Sequence, residues 1–378
     1  MDTTTHASPT AATGPLTLHG LSVEGVNQCV HCGLCLASCP TFAELGTEMD
    51  SPRGRIFIIK SLAEGRMALS DSTVRHLSLC LDCRACETVC PAGVPYGRLI
   101  EAAKAEIERT RPGAPGRRLF RWLNFGLLLG HPRLLGLAAS GARLYQASGL
   151  QRLVRKTGLV RLLPGTLPAW EALLPPVPAK AERAAPPPLT PAEGPRRARV
   201  ALLTGCVQSV IFGAHMKAYG HLLADDRAYA ERARRFAASV RDLAEILAQE
   251  PLRGPLAPVP LTCTYHDPCH VVHGQKIKSE PRKLLAQIPG LRVVELTESD
   301  WCCGSAGIYN LTEPEMATRL LHRKVGHVLA TGAEAVVTAN PGCILQIQTG
   351  LGAHESAVRV MHLIEILERA YGGSGGAR

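Results

Sequence analysis

CVHCGLCLASCP, at residues 29–40, and CLDCRACETVCP, at residues 80–91, share one arrangement of four cysteines and a proline, C-x2-C-x2-C-x3-C-P. Thiolates are soft ligands that bind zinc, copper(I) or iron–sulfur clusters. Zinc sites usually take their ligands as two separated pairs, whereas three thiols here follow one another at two-residue gaps. Such spacing lets one loop wrap three corners of a cubane. The duplicated motif therefore predicts two [4Fe–4S] clusters, with zinc thiolates or inert core cysteines as the alternatives.

A resemblance to a known class of proteins suggests which cluster the last cysteine of each motif binds. The motif resembles that of two-cluster ferredoxins, in which the cysteine before the proline ligates the other cluster. The resemblance, and not the spacing, implies that the ligands cross between the motifs. The first cluster would then be held by Cys29, Cys32, Cys35 and Cys90. The second cluster would be held by Cys80, Cys83, Cys86 and Cys39.

The composition indicates where such a chain works. It has 378 residues, 14 cysteines and a formal net charge of +10. Residues 1–20 lack the basic region and the apolar run of a secretory signal. We therefore expect a cytoplasmic protein whose thiols stay reduced and serve as metal ligands. The sequence contains no apolar run of about 18 residues, so it predicts no membrane-spanning helix.

The texture of the chain predicts an α+β multidomain fold, in which a mainly helical two-cluster ferredoxin domain precedes an α/β cysteine-rich domain. In the second domain, short β-branched runs alternate with helical patterns, and such domains gather their sites at the carboxyl ends of strands. Six regions are expected: a disordered N-terminus (1–20), the helical two-cluster domain (21–112), a basic leucine-rich helical segment (113–173), a Pro/Ala-rich linker (174–196), the cysteine-rich domain (197–370) and a flexible C-terminus (371–378).

The basic segment points to an anionic partner. Residues 111–170 contain ten Lys or Arg residues and no Asp or Glu, which favours phospholipid, nucleic acid or an acidic protein. Its Leu, Phe and Trp residues suit an interfacial helix, although a core-facing helix explains them equally well. No recognition motif accompanies the segment and aromatic residues are scarce, so we expect no nucleic acid partner. We expect peripheral contact with the inner face of the cell membrane.

A second set of cysteines lies in the C-terminal half, in TYHDPCH (264–270), WCCGSAG (301–307) and ANPGC (339–343). A further metal or cluster site is predicted from the quartet Cys269, Cys302, Cys303 and Cys343. The alternative is that these are small core residues. His266, His270 and His273 either tune such a cluster or, with Asp267, hold the turn. Cys206 and Cys263 have no assigned role, and Cys263 is best explained as core.

Together these motifs resemble the iron–sulfur subunit of glycolate oxidase (glycolate dehydrogenase), in the wider group that shares CCG domains with heterodisulfide reductase. The resemblance rests on both thiol motifs, SPRGRI (51–56), TYHDPCH, CCGSAGIYN (302–310) and NPGC (340–343). It implies a membrane-associated complex in which a separate FAD subunit oxidises glycolate to glyoxylate. This chain would pass the electrons toward quinone and would itself lack substrate chemistry.

The chain departs from that family in its first CCG module. TGCVQSVIFG (204–213) leads from the opening of this module directly toward its closing helix, so the module is truncated and any cluster role of Cys206 is in doubt. In the second module, Asn340 stands where a CxxC version has a thiol.

Two alternative functions remain open from the residues. One is the iron–sulfur subunit of a D-lactate or anaerobic glycerol-3-phosphate dehydrogenase, or of a heterodisulfide-reductase-like enzyme. The other, from a different class, is a redox-sensing iron–sulfur protein that binds nucleic acid, which a pI near 9.0 permits.

Overall fold

The computed structural model describes two main stretches in the domains that carry the cysteines, residues 25–111 and 214–372, and residues 131–162 between them. It also describes a few short pieces: 17–18, 21–23, 119, 122–128, 171, 174, 177, 189–191 and 199–201. The chain divides into two compact units, residues 1–113 and 114–378. Cys206 and the opening of the truncated CCG module, TGCVQSVIFG (204–213), lie outside the described residues.

The described part of the N-terminal unit is mainly helical, as its pattern predicts. A short antiparallel pair, β1 (Thr17–Leu18) and β2 (Leu21–Ser22), precedes the first thiol loop. The α-helices are α1 (Pro40–Leu45), α2 (Pro52–Ala63), α3 (Asp71–Ser78), α4 (Ala85–Thr88) and α5 (Tyr96–Thr110). Two 3-10 turns, Val26–Gln28 and Glu48–Asp50, join them.

The core of this unit lies among α2, α3 and α5. Its fully buried side chains are Ile58, Ile59, Leu77, Leu99 and Ile100. Each such side chain contributes about 1.5–3 kcal/mol on leaving water. The thiols Cys80 and Cys86 pack against the same cluster, so the metal-binding loops are built directly on the core.

The start of α2 explains the SPRGR sequence. The Ser51 hydroxyl accepts a hydrogen bond of 3.0 Å from the Gly54 amide, and Pro52 occupies the first helical position, where its missing N–H costs nothing. A Cβ on Gly54 would lie 2.0 Å from the Glu48 carbonyl oxygen. Glycine therefore lets the Glu48–Asp50 turn lie against the helix, and the next residue, Arg55, is buried.

The described part of the basic segment is also helical. A π-helical turn at Trp122–Leu128 precedes α6 (Pro132–Ala147) and α7 (Leu150–Lys156), and a 3-10 turn follows at Leu159–Leu162. Further along the chain come α8 (Tyr219–Leu222), α9 (Ala230–Ser239) and α10 (Leu243–Leu247).

A parallel sheet organises the cysteine-rich domain, which confirms the predicted α/β fold. Its order is β4 (Leu291–Val294), β3 (Leu261–Tyr265), β5 (Ala335–Thr338), β6 (Arg359–His362). The accompanying helices are α11 (Glu280–Leu285), α12 (Tyr309–Thr312), α13 (Pro314–Ala330), α14 (Pro341–Ala353) and α15 (Leu363–Ala370).

Helices cover both faces of the sheet, because successive side chains of a strand point to opposite sides. Ala335 and Val337 pack in one cluster with residues of α11 and α15, and Cys263 belongs to that cluster. Val336 packs on the other face, in a cluster with α13, α14, Cys303 and Cys343. Cys263 therefore belongs to a different core cluster from the thiols of the CCG sequence.

Gly304, the glycine of CCG, is required by packing as well as by its backbone angle. Gly304 and Gly307 both adopt left-handed φ, of 87° and 69°. A Cβ on Gly304 would lie 2.5 Å from the Ala317 carbonyl oxygen, whereas a Cβ on Gly307 would meet nothing within 4 Å.

We expect Gly304→Ala to lower the free energy of unfolding more than its matched control, Gly307→Ala. The left-handed angle costs alanine about 1–2 kcal/mol at either position, and the clash with α13 adds about 1–3 kcal/mol at Gly304 only. Urea unfolding of the full chain, followed by far-UV circular dichroism, measures both. Equal losses in the two variants would show that packing against Ala317 does not constrain this loop.

Candidate metal centres

The first thiol loop folds around a cavity that is lined by five cysteines: Cys29, Cys32, Cys35 and Cys90, together with Cys86. The loop winds tightly because His31 and Gly33 adopt left-handed φ, of 53° and 83°. Since Cys90 ends the second motif, this cavity joins both motifs.

The second thiol loop repeats this arrangement. Its cavity is lined by Cys39, Cys80, Cys83 and Cys86. Asp82 and Arg84, at the positions equivalent to His31 and Gly33, also have left-handed φ, of 53° and 61°. Positive φ is uncommon for residues other than glycine, so the repeat in sequence is also a repeat of backbone conformation.

Each cavity is lined by three thiols of one motif and the last thiol of the other, and Cys86 lines the first cavity as well as the second. Four convergent thiols suit a [4Fe–4S] cluster, so the residues fit the group that the motifs imply. Pro52, Cys86 and Tyr96 line both cavities, and a single layer of side chains therefore separates them.

The cavities differ in their access to solvent. Cys32 is exposed and the other three thiols of the first cavity are partly buried, whereas all four thiols of the second are buried. Burial raises the pKa of Cys35 to about 11, and burial with neighbouring thiols raises the pKa of Cys86 well above its usual value. Without a metal these thiols are protonated at neutral pH, so metal binding releases protons.

Hydrogen bonds surround the second set of thiols. The Tyr96 hydroxyl and the Asp82 amide each donate to the Cys80 Sγ at 3.4 Å. The Cys39 Sγ and the Thr41 hydroxyl lie 3.3 Å apart. Burial raises the pKa of Tyr96 well above its usual value, so its hydroxyl keeps the proton that it donates. Such bonds stabilise negative charge on sulfur and raise a cluster's reduction potential.

A buried cation lines the second cavity. Arg55 is 1% exposed; its guanidinium donates to the His76 carbonyl at 2.8 Å and to the Thr41 hydroxyl at 3.0 Å, and lies 3.5 Å from the Asp50 carboxylate. Burial by itself would lower the pKa of Arg55, but the nearby Tyr96, the thiols of Cys80 and Cys39, and Asp50 raise that pKa above the ordinary value. A fixed positive charge therefore faces the second cavity.

The C-terminal cysteines gather at the carboxyl edge of the sheet. Cys269 follows β3 and lies just before a π-helical turn, Cys302 and Cys303 follow β4, and Cys343 lies in the first turn of α14. Cys302, Cys303 and Cys343 are buried and Cys269 is partly buried. The hydrogen bond from Cys302 lowers the pKa of Cys303, but Cys343 and burial outweigh it and raise that pKa well above the usual value.

His266 joins this group, although the sequence motifs favoured it only as a tuning or turn-holding residue. One ligand atom from each of His266, Cys303 and Cys343 lies within 4.8 Å of the others, and all three residues are buried. Burial and the nearby Lys324 lower the pKa of His266 well below its usual value, and the Ser299 carbonyl opposes this. The imidazole is therefore neutral, the form that binds metals.

The loops around this group are held by other residues. The Arg282 guanidinium donates to both carboxylate oxygens of Asp267, at 2.9 and 2.8 Å. The His273 Nε2 lies 3.0 Å from the Asp300 carbonyl, which ties the Cys269 loop to the loop of Cys302. The Asn340 Oδ1 accepts from the Cys343 amide at 3.3 Å and caps α14. Asp267 and His273 thus hold the turn.

Two observations concern the basic segment. Leu137 and Leu144 of α6 are 70% and 71% exposed, and they lie two turns apart on one face. Among the described residues, none of the helices combines the length and the apolar character needed to cross a membrane.

Comparisons with known families place three parts of the chain. Residues 25–94 match the 4Fe-4S dicluster domain, residues 263–348 match a cysteine-rich CCG domain, and residues 116–174 match the linker region of the glycolate oxidase iron-sulfur subunit. The basic segment thus coincides with a linker that has its own family description.

Two relatives match along almost the whole chain. A probable glycolate oxidase iron-sulfur subunit of Bacillus subtilis is 36% identical over 91% of this chain and 94% of its own length. The glycolate oxidase iron-sulfur subunit of Escherichia coli is 32% identical over 90% of this chain and 93% of its own. Lactate utilization protein A of Bacillus subtilis is 31% identical over 39% of this chain.

We expect Cys39→Ser to remove the second cluster and Cys90→Ser to remove the first, because the ligands cross. Cys83→Ser and Cys32→Ser supply reference spectra, since each changes the middle of one motif. In the electron paramagnetic resonance of the reduced protein, Cys39→Ser should match Cys83→Ser. A match to Cys32→Ser would show that each motif binds its own cluster, and Cys263→Ala, a core variant, should leave both signals.

We expect Tyr96→Phe to lower the reduction potential of the second cluster, because a hydrogen bond to the Cys80 Sγ is lost. A tenfold smaller ratio of reduced to oxidised cluster at a fixed potential corresponds to about 59 mV for one electron. A redox titration monitored by electron paramagnetic resonance measures the shift, with the first cluster as internal reference. A shift of both clusters together would contradict the specific role of this hydroxyl.

Proposed function

The chain belongs to the family of glycolate oxidase iron–sulfur subunits, and from this premise we propose how its thiols hold the electron path of such a subunit. It is an electron-transfer component of an oxidoreductase complex. The observation that carries the proposal is the pair of adjacent cavities, each lined by four thiols in the crossed pattern. When bound there, two [4Fe–4S] clusters supply one-electron transfer.

We assign the ligands by cavity. The first cavity would hold its cluster through Cys29, Cys32, Cys35 and Cys90. The second would hold its cluster through Cys39, Cys80, Cys83 and Cys86. The side chains of Pro52, Cys86 and Tyr96 between them keep water out of the short path from one cavity to the other. The cysteine-rich domain contributes a third candidate centre through the CCG cysteines.

The first cavity is where a redox partner would approach. Cys32 is exposed, and Val30 and Leu34 beside it are 69% and 59% exposed. Apolar residues around an exposed ligand suit a partner that excludes water at the point of transfer. The hydrogen bonds to the Cys80 Sγ and the buried charge of Arg55 would favour the reduced state at the second cavity, so an electron entering at the first would be drawn inward.

We propose that the partner is a separate FAD subunit that oxidises glycolate to glyoxylate, and that the electrons continue toward quinone. The resemblance to the two full-length relatives supports this. The exposed Leu137 and Leu144 among arginines support peripheral contact of the basic segment with an anionic membrane surface.

A second candidate rests on the partial match to lactate utilization protein A. It would place the same electron path in a complex that oxidises D-lactate or another 2-hydroxy acid. The two candidates differ in the partner subunit and not in the centres of this chain.

The test uses the tagged full chain, purified without oxygen together with the flavoprotein that accompanies it. Glycolate, D-lactate and glycerol 3-phosphate are added separately, and the visible absorbance of the clusters is followed. We expect glycolate to bleach the clusters. Bleaching by another substrate alone would assign the chain to a sister complex. Intact clusters that no substrate bleaches, with no flavoprotein present, would overturn the proposal. The Cys39→Ser variant is the control for electron passage through the second cavity.

A further inference from the structure

The His266 side chain lies in an environment that is unfavourable for a histidine without a binding partner. The residue is fully buried, and among the residues that the structure describes neither ring nitrogen has a hydrogen-bond partner of normal geometry, although the Ser299 carbonyl lies close enough to oppose the lowering of its pKa. Leaving one buried polar group unpaired costs about 1–3 kcal/mol, and here two nitrogens are unpaired. A buried group of this kind requires an explanation, and a bound metal ion is one that restores a partner.

The nearest candidates for that partner site are thiols. The side chains of His266, Cys303 and Cys343 converge from three separate segments, the loop after β3, the loop after β4 and the first turn of α14. In a tetrahedral site with metal–sulfur and metal–nitrogen bonds of about 2.3 and 2.0 Å, neighbouring ligand atoms lie about 3.5–3.8 Å apart. Their separation of at most 4.8 Å can close to this by small rotations of the side chains.

The residue at position 340 leaves a place for a nitrogen ligand. A CxxC version of this motif has a thiol there, but this chain has Asn340. Its Oδ1 accepts hydrogen bonds from the Gly342 and Cys343 amides, at 2.8 and 3.3 Å, so the side chain is committed to capping α14. This segment therefore supplies one thiol fewer than a CxxC version, and His266 is the buried donor that lies within 4.8 Å of the Cys343 thiol.

We propose that His266 is a metal ligand, which with Cys303 and Cys343 forms a mixed nitrogen–sulfur centre at the carboxyl edge of the sheet. Cys269 or Cys302, which flank the group, supplies the remaining corner. Thiolate and imidazole together bind zinc or the iron of an iron–sulfur cluster, and this shared chemistry defines the site. This inference goes beyond the electron path of the N-terminal unit and does not depend on it.

The use of His266 in place of a thiolate changes the charge of the centre. A neutral imidazole replaces a thiolate, so the ligand set carries one negative charge fewer. The ammonium of Lys324, 2% exposed, lies near the thiols and is held by the Glu298 carbonyl. In iron–sulfur centres, replacing thiolate by imidazole raises the reduction potential. A centre built in this way accepts electrons more readily than an all-thiolate one.

The test begins with the unmodified full chain, purified without oxygen and labelled with 15N-histidine. Iron, zinc and sulfide are counted per chain, and we expect metal beyond the about eight iron atoms of two [4Fe–4S] clusters. If the extra metal is iron, pulsed electron paramagnetic resonance should show a directly bonded 15N; if it is zinc, X-ray absorption should show nitrogen at about 2.0 Å with sulfur at about 2.3 Å. No extra metal, or an extra centre without nitrogen, overturns the proposal whether or not any variant folds.

Three variants then identify the histidine. His266→Ala should lose the extra metal by more than about tenfold, while the signals of the two N-terminal clusters persist. His273→Ala is the matched control, because His273 is also buried and close in the chain but bonds to the Asp300 carbonyl, and it should keep much more of the metal than His266→Ala. His266→Cys should also keep it, without the 15N signal. Equal metal loss in His266→Ala and His273→Ala would show a structural role and overturn the assignment.

Discussion

A cysteine side chain is short, so a metal held by thiols obliges the backbone to come to the metal. Each thiol loop meets this constraint with two left-handed residues, at His31 and Gly33 in one copy and at Asp82 and Arg84 in the other. The last thiol of each motif lines the cavity of the other copy, which brings the ends of both motifs together. The packing of α2, α3 and α5 then serves to hold two loops that are separate in the sequence at the same place.

The repeat is symmetric in backbone but not in surroundings. One cavity opens to solvent at Cys32, while the other is buried behind Tyr96 and Arg55. The SPRGR sequence produces part of this difference, since the close approach at Gly54 places Arg55 inside the unit. A repeated motif alone would give two equivalent sites, and the difference in exposure between them comes from residues outside the motifs, such as Arg55 and Tyr96.

The cysteine-rich domain meets the same constraint by a different architecture. Parallel strands end at one edge of their sheet, so the loops after β3, β4 and β5 meet there. No single loop has to wrap around three thiols, as each N-terminal thiol loop does. This edge assembles its ligands from segments that are far apart in the chain, and it can therefore recruit a histidine as readily as a cysteine. Gly304 supports that edge through its close contact with Ala317.

Local pattern was sufficient for much of this protein. The spacing of the duplicated motif indicated four-thiol clusters, and the alternation of apolar runs indicated the α/β domain, because both signals come from residues within a few positions of one another. The crossed ligand sets were implied by the resemblance of the whole motif to two-cluster ferredoxins.

Only the tertiary structure decided the rest. It placed Cys263 in a core cluster other than that of Cys303 and Cys343, buried the charge of Arg55 beside the second cavity, and, among the described residues, left both nitrogens of His266 without a hydrogen-bond partner of normal geometry. His266, His270 and His273 are indistinguishable in sequence, since all three flank Cys269 in one short segment. What separates them is burial and the identity of the groups that face each ring, and these come from strands and helices distant in the chain.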